Sequence, residues 1–245
     1  MILSRLLVRE RLALLVALPL AALLVMTTPF VADQVTQARA ATDTAAQVQA
    51  SRAASRLVQE LQRERLLSIA YLVGSGERSA LAVQAGVVSD RLDAARALAQ
   101  AADQRELLLA LGVSELERAR ATIAQRTLSA PATFELYSRL IDRIITAAER
   151  APSNQAPADA AVDAFASLIR TDEATSRAGA ALLLAATGEA QARTALIEAT
   201  VEEKSRAESF RRRATDEQVA LFDQARNGSV EKRISGLVER VRTGR

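Results

Sequence analysis

Residues 57–76 read LVQELQRERLLSIAYLVGSG. Taken with the residues just before them, positions Ala54, Val58, Leu61, Arg65, Ser68 and Leu72 alternate steps of four and three, which places all six side chains on one face of an α-helix. The stripe is apolar except at Arg65 and Ser68. Gly74 and Gly76 follow, and glycines let the backbone turn out of a helix. One long helix is therefore predicted from about Asp33 to Val73.

The same pattern continues along the chain. Val88, Leu92, Ala95, Ala99 and Ala102 form the stripe of a second helix beginning at about Ser79 or Val87, and Leu116, Ala119 and Ile123 that of a third over Ser114–Thr127. Pro131 breaks the chain, and Thr133 is the expected N-cap of a helix carrying Tyr137, Ile141, Ile144 and Ala148. The segment from Ala151 to Pro157 reads as a loop, with Pro157 suited to the first turn of a helix over Ala158–Ala186. A helix from Glu189 to Gln224 is expected next, with Ala207, Phe210, Ala214, Gln218 and Leu221 at helical spacing. After Asn227-Gly228-Ser229, the residues Val230, Ile234, Leu237 and Val241 have the spacing of a short coiled-coil seam.

Composition agrees. Of 245 residues only 3% are aromatic, with 9 Gly and 5 Pro, so aromatic strand formers and breakers are scarce and good helix formers dominate. The expected fold class is all-α: a transmembrane helix, then an elongated antiparallel bundle, read as one or two four-helix bundles sharing long helices.

Residues 12–32, LALLVALPLAALLVMTTPFVA, carry no charge. As a helix they would be roughly 30 Å long, the thickness of a bilayer core. Arg5, Arg9 and Arg11 precede the run and Asp33 follows it, so the positive-inside rule keeps 1–11 in the cytoplasm, makes 12–32 the anchor and puts 33–226 outside as the helical sensor region. Residues 227–245 are a C-terminal helix or linker. Ala38-Arg39-Ala40 resembles a signal-peptide cleavage site but lies several residues beyond the apolar run, which favours an uncleaved anchor in the cell membrane. No second run of spanning length follows, so a kinase output domain, if the protein has one, lies outside this sequence.

The chain has no Cys and no His, which excludes thiol nucleophiles, disulfides, imidazole catalysis and the usual zinc sites. Lys occurs only at 204 and 232, and the glycines form no phosphate loop. Acids are scattered along the chain; Asp172-Glu173 and Glu202-Glu203 read as ordinary helix surface. No catalytic residue, metal site or cofactor is expected. The net charge of +3 falls to about +1 once residues 1–32 are set aside, with both signs interspersed, so nucleic acid is not an expected partner.

Arg65 is the candidate functional residue. Its neighbours at three and four positions are Leu61, Gln62, Ser68 and Ile69, none acidic, whereas Arg63 has Glu60 within reach. A guanidinium facing a core needs a partner. That partner is a ligand anion, an acid on a neighbouring helix, or water reached by snorkelling. Planar guanidinium donors match the oxygens of nitrate, nitrite or a carboxylate in a two-pronged fork.

Glu60-Leu61-Gln62-Arg63-Glu64-Arg65, with Ser68 and Tyr71-Leu72, resembles the Q-x-E-R-G-x-S-x-x-x-L signature of the nitrate- and nitrite-sensing (NIT) domain. Tyr137-Ser138-Arg139-Leu140-Ile141 resembles that family's Y-x-x-L-I helix, Glu173 to Arg177 its E-x-x-x-R element, and Phe210 to Phe222 its F-x-x-x-A-x-x-x-Q segment. The resemblance covers about Ala41 to Gln224. One position departs from it: Leu66 stands where the family prefers Gly. The resemblance implies a sensory domain of the kind found in bacterial histidine kinases, chemoreceptors and antiterminators, built from long helices in two four-helix bundles. It implies a small anion, nitrate or nitrite, held between helices by Arg65 and Arg177, with Ser68 from the signature, in a homodimer at the membrane. The alternative is a helical dimerisation or partner-binding module, whose mark would be Arg65 paired to an internal acid.

Overall fold

The computed structural model describes residues 45–150, 156–186 and 190–226. Within them α1 covers 45–72, followed by α2 (Arg78–Ala101), α3 (Arg105–Ala110), α4 (Val113–Ala124), α5 (Ala130–Glu149), α6 (Ala156–Ala185), α7 (Ala190–Arg213) and α8 (Asp216–Arg226). No strand occurs among the described residues. No helix among them is long and apolar enough to cross a membrane. The apolar run 12–32 and the coiled-coil spacing in 227–245 lie outside the described residues.

The predicted stripes bury. Leu57, Leu61, Leu92, Ala95, Leu116, Ile123, Tyr137, Ile141 and Ile144 meet in a first core formed by α1 to α5. A second core brings Ile69 of α1 and Phe134 of α5 against Ala181 and Leu184 of α6 and Leu196 and Ala199 of α7. Helices α1 and α5 therefore contribute to both. Helices α6 and α7 form an antiparallel pair: Arg177 bonds Glu202 at 3.0 Å, and the late residue Arg213 reaches back to the early Ser167 at 3.1 Å. Arg170 ties α6 to α5 through Glu149, at 2.9 and 2.8 Å, and through Asp142.

Helix α1 ends at the glycine pair. Gly74 has φ +83°, and the amides of Ser75 and Gly76 both donate to the Ala70 carbonyl at 2.9 Å, satisfying an end-of-helix acceptor. Two other helices end on non-glycine left-handed residues, Asp103 and Arg126. Arg126 is held there by Tyr71, over whose ring its guanidinium lies at 4.5 Å.

Three expectations are corrected. The pattern predicts nothing between Ala102 and Ser114, yet α3 forms there; its six residues are too few to display a period. Thr133 is not the N-cap of α5. The Ser129 hydroxyl accepts from the Ala132 amide at 3.3 Å, Pro131 lies in the first turn, and Thr133 is inside the helix with its hydroxyl donating to the Ser129 carbonyl at 2.9 Å. A proline's fixed φ suits a first turn, so Pro131 opens this helix instead of separating two.

The helix expected over Glu189–Gln224 is two helices. A reciprocal capping box restarts the chain: the Thr215 amide donates to Gln218 Oε1 at 3.0 Å, and the Gln218 amide donates to the Thr215 hydroxyl at 3.3 Å. The break turns Leu221 outward, 61% exposed, and brings Phe222 against Phe210 with ring centroids 4.8 Å apart.

Gly112 joins α3 to α4 at φ +58°, where a Cβ would lie 2.7 Å from Leu140 Cδ1. Backbone strain and the clash with a buried side chain act together, so Gly112→Ala is expected to lower stability by about 1–3 kcal/mol in urea unfolding.

Candidate anion site at Arg65

Arg65 is fully buried, at the place where α1 faces α5 and α6. Its Nη1 donates to Glu173 Oε1 at 2.7 Å and to the Ser138 hydroxyl at 3.0 Å; its Nη2 donates to Glu173 Oε2 at 3.3 Å and to the Ser176 hydroxyl at 2.8 Å. This is a two-pronged guanidinium–carboxylate pair with two hydroxyls around it. Gln62, one turn earlier on α1, donates to Glu173 Oε2 at 3.0 Å. Phe134 lies beneath the guanidinium, 5.8 Å from its ring centre. The Arg65 Nε–H is buried without an acceptor.

Three of the quoted sequence elements thus converge: Gln62 and Arg65 from the first, Ser138 from the tyrosine helix, Glu173 and Ser176 from the E-x-x-x-R stretch. The partner left open by sequence is an acid on a neighbouring helix. Glu173, expected with Asp172 on ordinary helix surface, is only 6% exposed. A signal for it exists in the sequence, because Glu173, Ser176, Ala180 and Leu184 are spaced at three and four. An acid interrupts that apolar stripe as Arg65 interrupts its own.

The remaining candidates are arranged differently. Arg177 does not pair with Glu173 one turn before it; its Nη1 donates to Glu202 of α7 at 3.0 Å, and its Nε is buried without an acceptor. Ser68 is fully buried but bonds neither arginine. Its hydroxyl neighbours the Tyr137 phenol, which also lies beside Glu64 and Arg120. Leu66 is 43% exposed, so the side chain replacing the family's glycine points away from the fork. Arg63 approaches Glu60 at 3.8 Å, as its spacing implies.

A second buried pair adjoins the first. Glu64, fully buried, accepts from Arg120 of α4 at 2.6 and 2.9 Å, and Arg120 also donates to Ser89 of α2 at 2.9 Å. Burial, with the Glu64 charge nearby, pushes the Tyr137 phenol well above its ordinary range. Burial likewise raises the Glu173 carboxyl; the Arg65 charge and the bonds from Arg65 and Gln62 pull it down without cancelling that effect. No cluster of acids able to hold a metal ion occurs among the described residues.

Removing one member of a buried ion pair strands the other. Arg65→Met is expected to cost about 3–5 kcal/mol in urea unfolding near neutral pH, and Arg65→Met/Glu173→Met to recover most of it. A carboxyl whose pKa is higher folded than unfolded contributes stability below its unfolded pKa and loses it as pH rises through the folded one. Without Arg65 the Glu173 pKa rises further, so the Arg65→Met deficit should shrink as pH falls into mild acid.

The family model for nitrate and nitrite sensing matches residues 56–245. Among solved structures, that described as "Structure of the NasR transcription antiterminator" superposes with a TM-score of 0.70 at 22% identity, over 87% of this chain and 62% of that one. The likeness is one of fold. This chain spans less than two thirds of that neighbour's length. No curated protein matches the sequence. The family match takes in the Arg65 fork and all three elements that build it, and the chain belongs to the nitrate- and nitrite-sensing (NIT) domain family.

Proposed function

We propose that this chain is the extracytoplasmic sensory domain of a membrane signalling protein and binds nitrate or nitrite at the Arg65 fork. The observation that carries the reading is the fork itself. A fully buried planar guanidinium directs two N–H groups at a planar, singly charged, two-oxygen acceptor, with the Ser138 and Ser176 hydroxyls beside it. Nitrate and nitrite present the same charge and the same kind of oxygen edge as that carboxylate. Arg177 stands one turn beyond Glu173 on α6, close enough to act on its charge.

The membrane setting rests on residues 12–32 and the arginines before them, which make an anchor with 1–11 in the cytoplasm. The kinase-like context rests on the same anchor, and a homodimer on the family's use in membrane receptors. A role without nucleic acid rests on the balanced charge beyond residue 32, although the structural neighbour is an antiterminator. Binding changes the output only by favouring one of two helix packings.

A second reading has an observation of its own. Arg65 is paired internally to Glu173, as expected of a dimerisation or partner module that takes no small ligand.

Calorimetric titration of the purified chain separates the two. Saturable heat is expected with nitrate or nitrite and not with chloride. Arg65→Lys keeps a charge opposite Glu173 but loses the planar fork, and should weaken binding at least about tenfold. No heat from folded wild-type protein with either anion would leave the interaction module standing.

A further inference from the structure

We infer that Glu173 is an affinity-setting residue of this site: its carboxylate competes with the incoming anion for the Arg65 fork, and binding displaces it. This rests on the reading of Arg65 as the anion-binding fork.

The geometry requires a displacement. Both terminal nitrogens of Arg65 are engaged by Glu173, at 2.7 and 3.3 Å, and each gives its other hydrogen to a serine hydroxyl, Ser138 or Ser176. Only Nε–H remains without an acceptor, and one donor does not make a fork. A planar anion takes the two-pronged edge when the carboxylate gives it up. The two serines and Phe134 stay in place for the replacement, since they contact the guanidinium and not the carboxylate.

Glu173 has a second cation within reach. Burial disfavours its ionised form, and Arg65, Gln62 and Arg177 offset part of that effect. The groups that act on it are Arg65 and Gln62 on α1 and Arg177 on α6. Arg177, at i+4, is the nearest alternative cation, and its Nε–H lacks an acceptor. A carboxylate moving to Arg177 disturbs the Arg177–Glu202 bond to α7. The exchange thereby connects the fork on α1 to the α6–α7 pair. Gln62 is the clamp on the other side, holding Glu173 Oε2 at 3.0 Å.

Nitrate and nitrite titrations of the full chain test this in four proteins: wild type, Glu173→Gln, Gln62→Leu and Arg65→Lys. Glu173→Gln removes the competitor and should tighten binding tenfold or more; where it folds poorly alone, nitrate should restore its folded signal. Gln62→Leu leaves every charged residue in place while removing the clamp on Glu173 and the contact of Gln62 with Asp172, and should tighten binding severalfold. Wild-type affinity in both variants overturns the displacement while leaving the anion site intact. A gain confined to Glu173→Gln assigns the effect to nearby charge and also overturns it. Binding unchanged in Arg65→Lys, or absent from every protein, rejects the site itself and the displacement with it.

Discussion

A guanidinium without access to water must be answered from inside the protein, and Arg65 is answered by two other helices at once. Glu173 and Ser176 come from α6 and Ser138 from α5. Each contact is directional, so the rotation of α1, the height of α5 and the register of α6 are fixed together. An apolar stripe tolerates sliding by a turn, because one leucine replaces another at similar cost. A buried charge does not, since a slip of one turn leaves an ion with no partner.

The neighbouring residue extends the same logic to the other core. Successive positions on a helix point about 100° apart, so Glu64 faces Arg120 and Ser89 on α4 and α2 while Arg65 faces α5 and α6. Two consecutive residues of opposite sign thereby direct α1 toward different neighbours. Arg63 just before them is exposed, and Leu66 just after is 43% exposed. The charge-rich stretch is therefore divided between inside and outside by helical phase alone.

This arrangement suits a sensor better than a scaffold built for stability. Replacing a buried ion pair with apolar side chains is often neutral or stabilising, so stability alone is a poor reason for a fork at this depth. The Glu173 carboxyl is raised by burial despite its arginine, and Arg177 beside it is committed to a different helix. In the proposed sensor, an anion taken at this node acts by favouring one packing of the helices that carry it.

The helices were legible in the sequence because burial follows the 3.6-residue period. The stripes through Leu61, Leu92, Leu116 and Ile141 are the stripes that pack, and Arg65 stands out as the charge interrupting one of them. Local capping chemistry was legible too, though easier to misread: Ser129 and the Thr215–Gln218 box set helix starts that hydrophobic spacing alone runs past. Helix α3 is too short to have a period at all. The partners were decided only by the tertiary structure. Glu173 lies 108 positions from Arg65, and Arg120 lies 56 from Glu64. The sequence determined that Arg65 would face a core and need a partner. Which partner, and that Arg177 would turn to Glu202, depended on how three helices met, because helical phase gives the direction of a side chain but not what stands across from it.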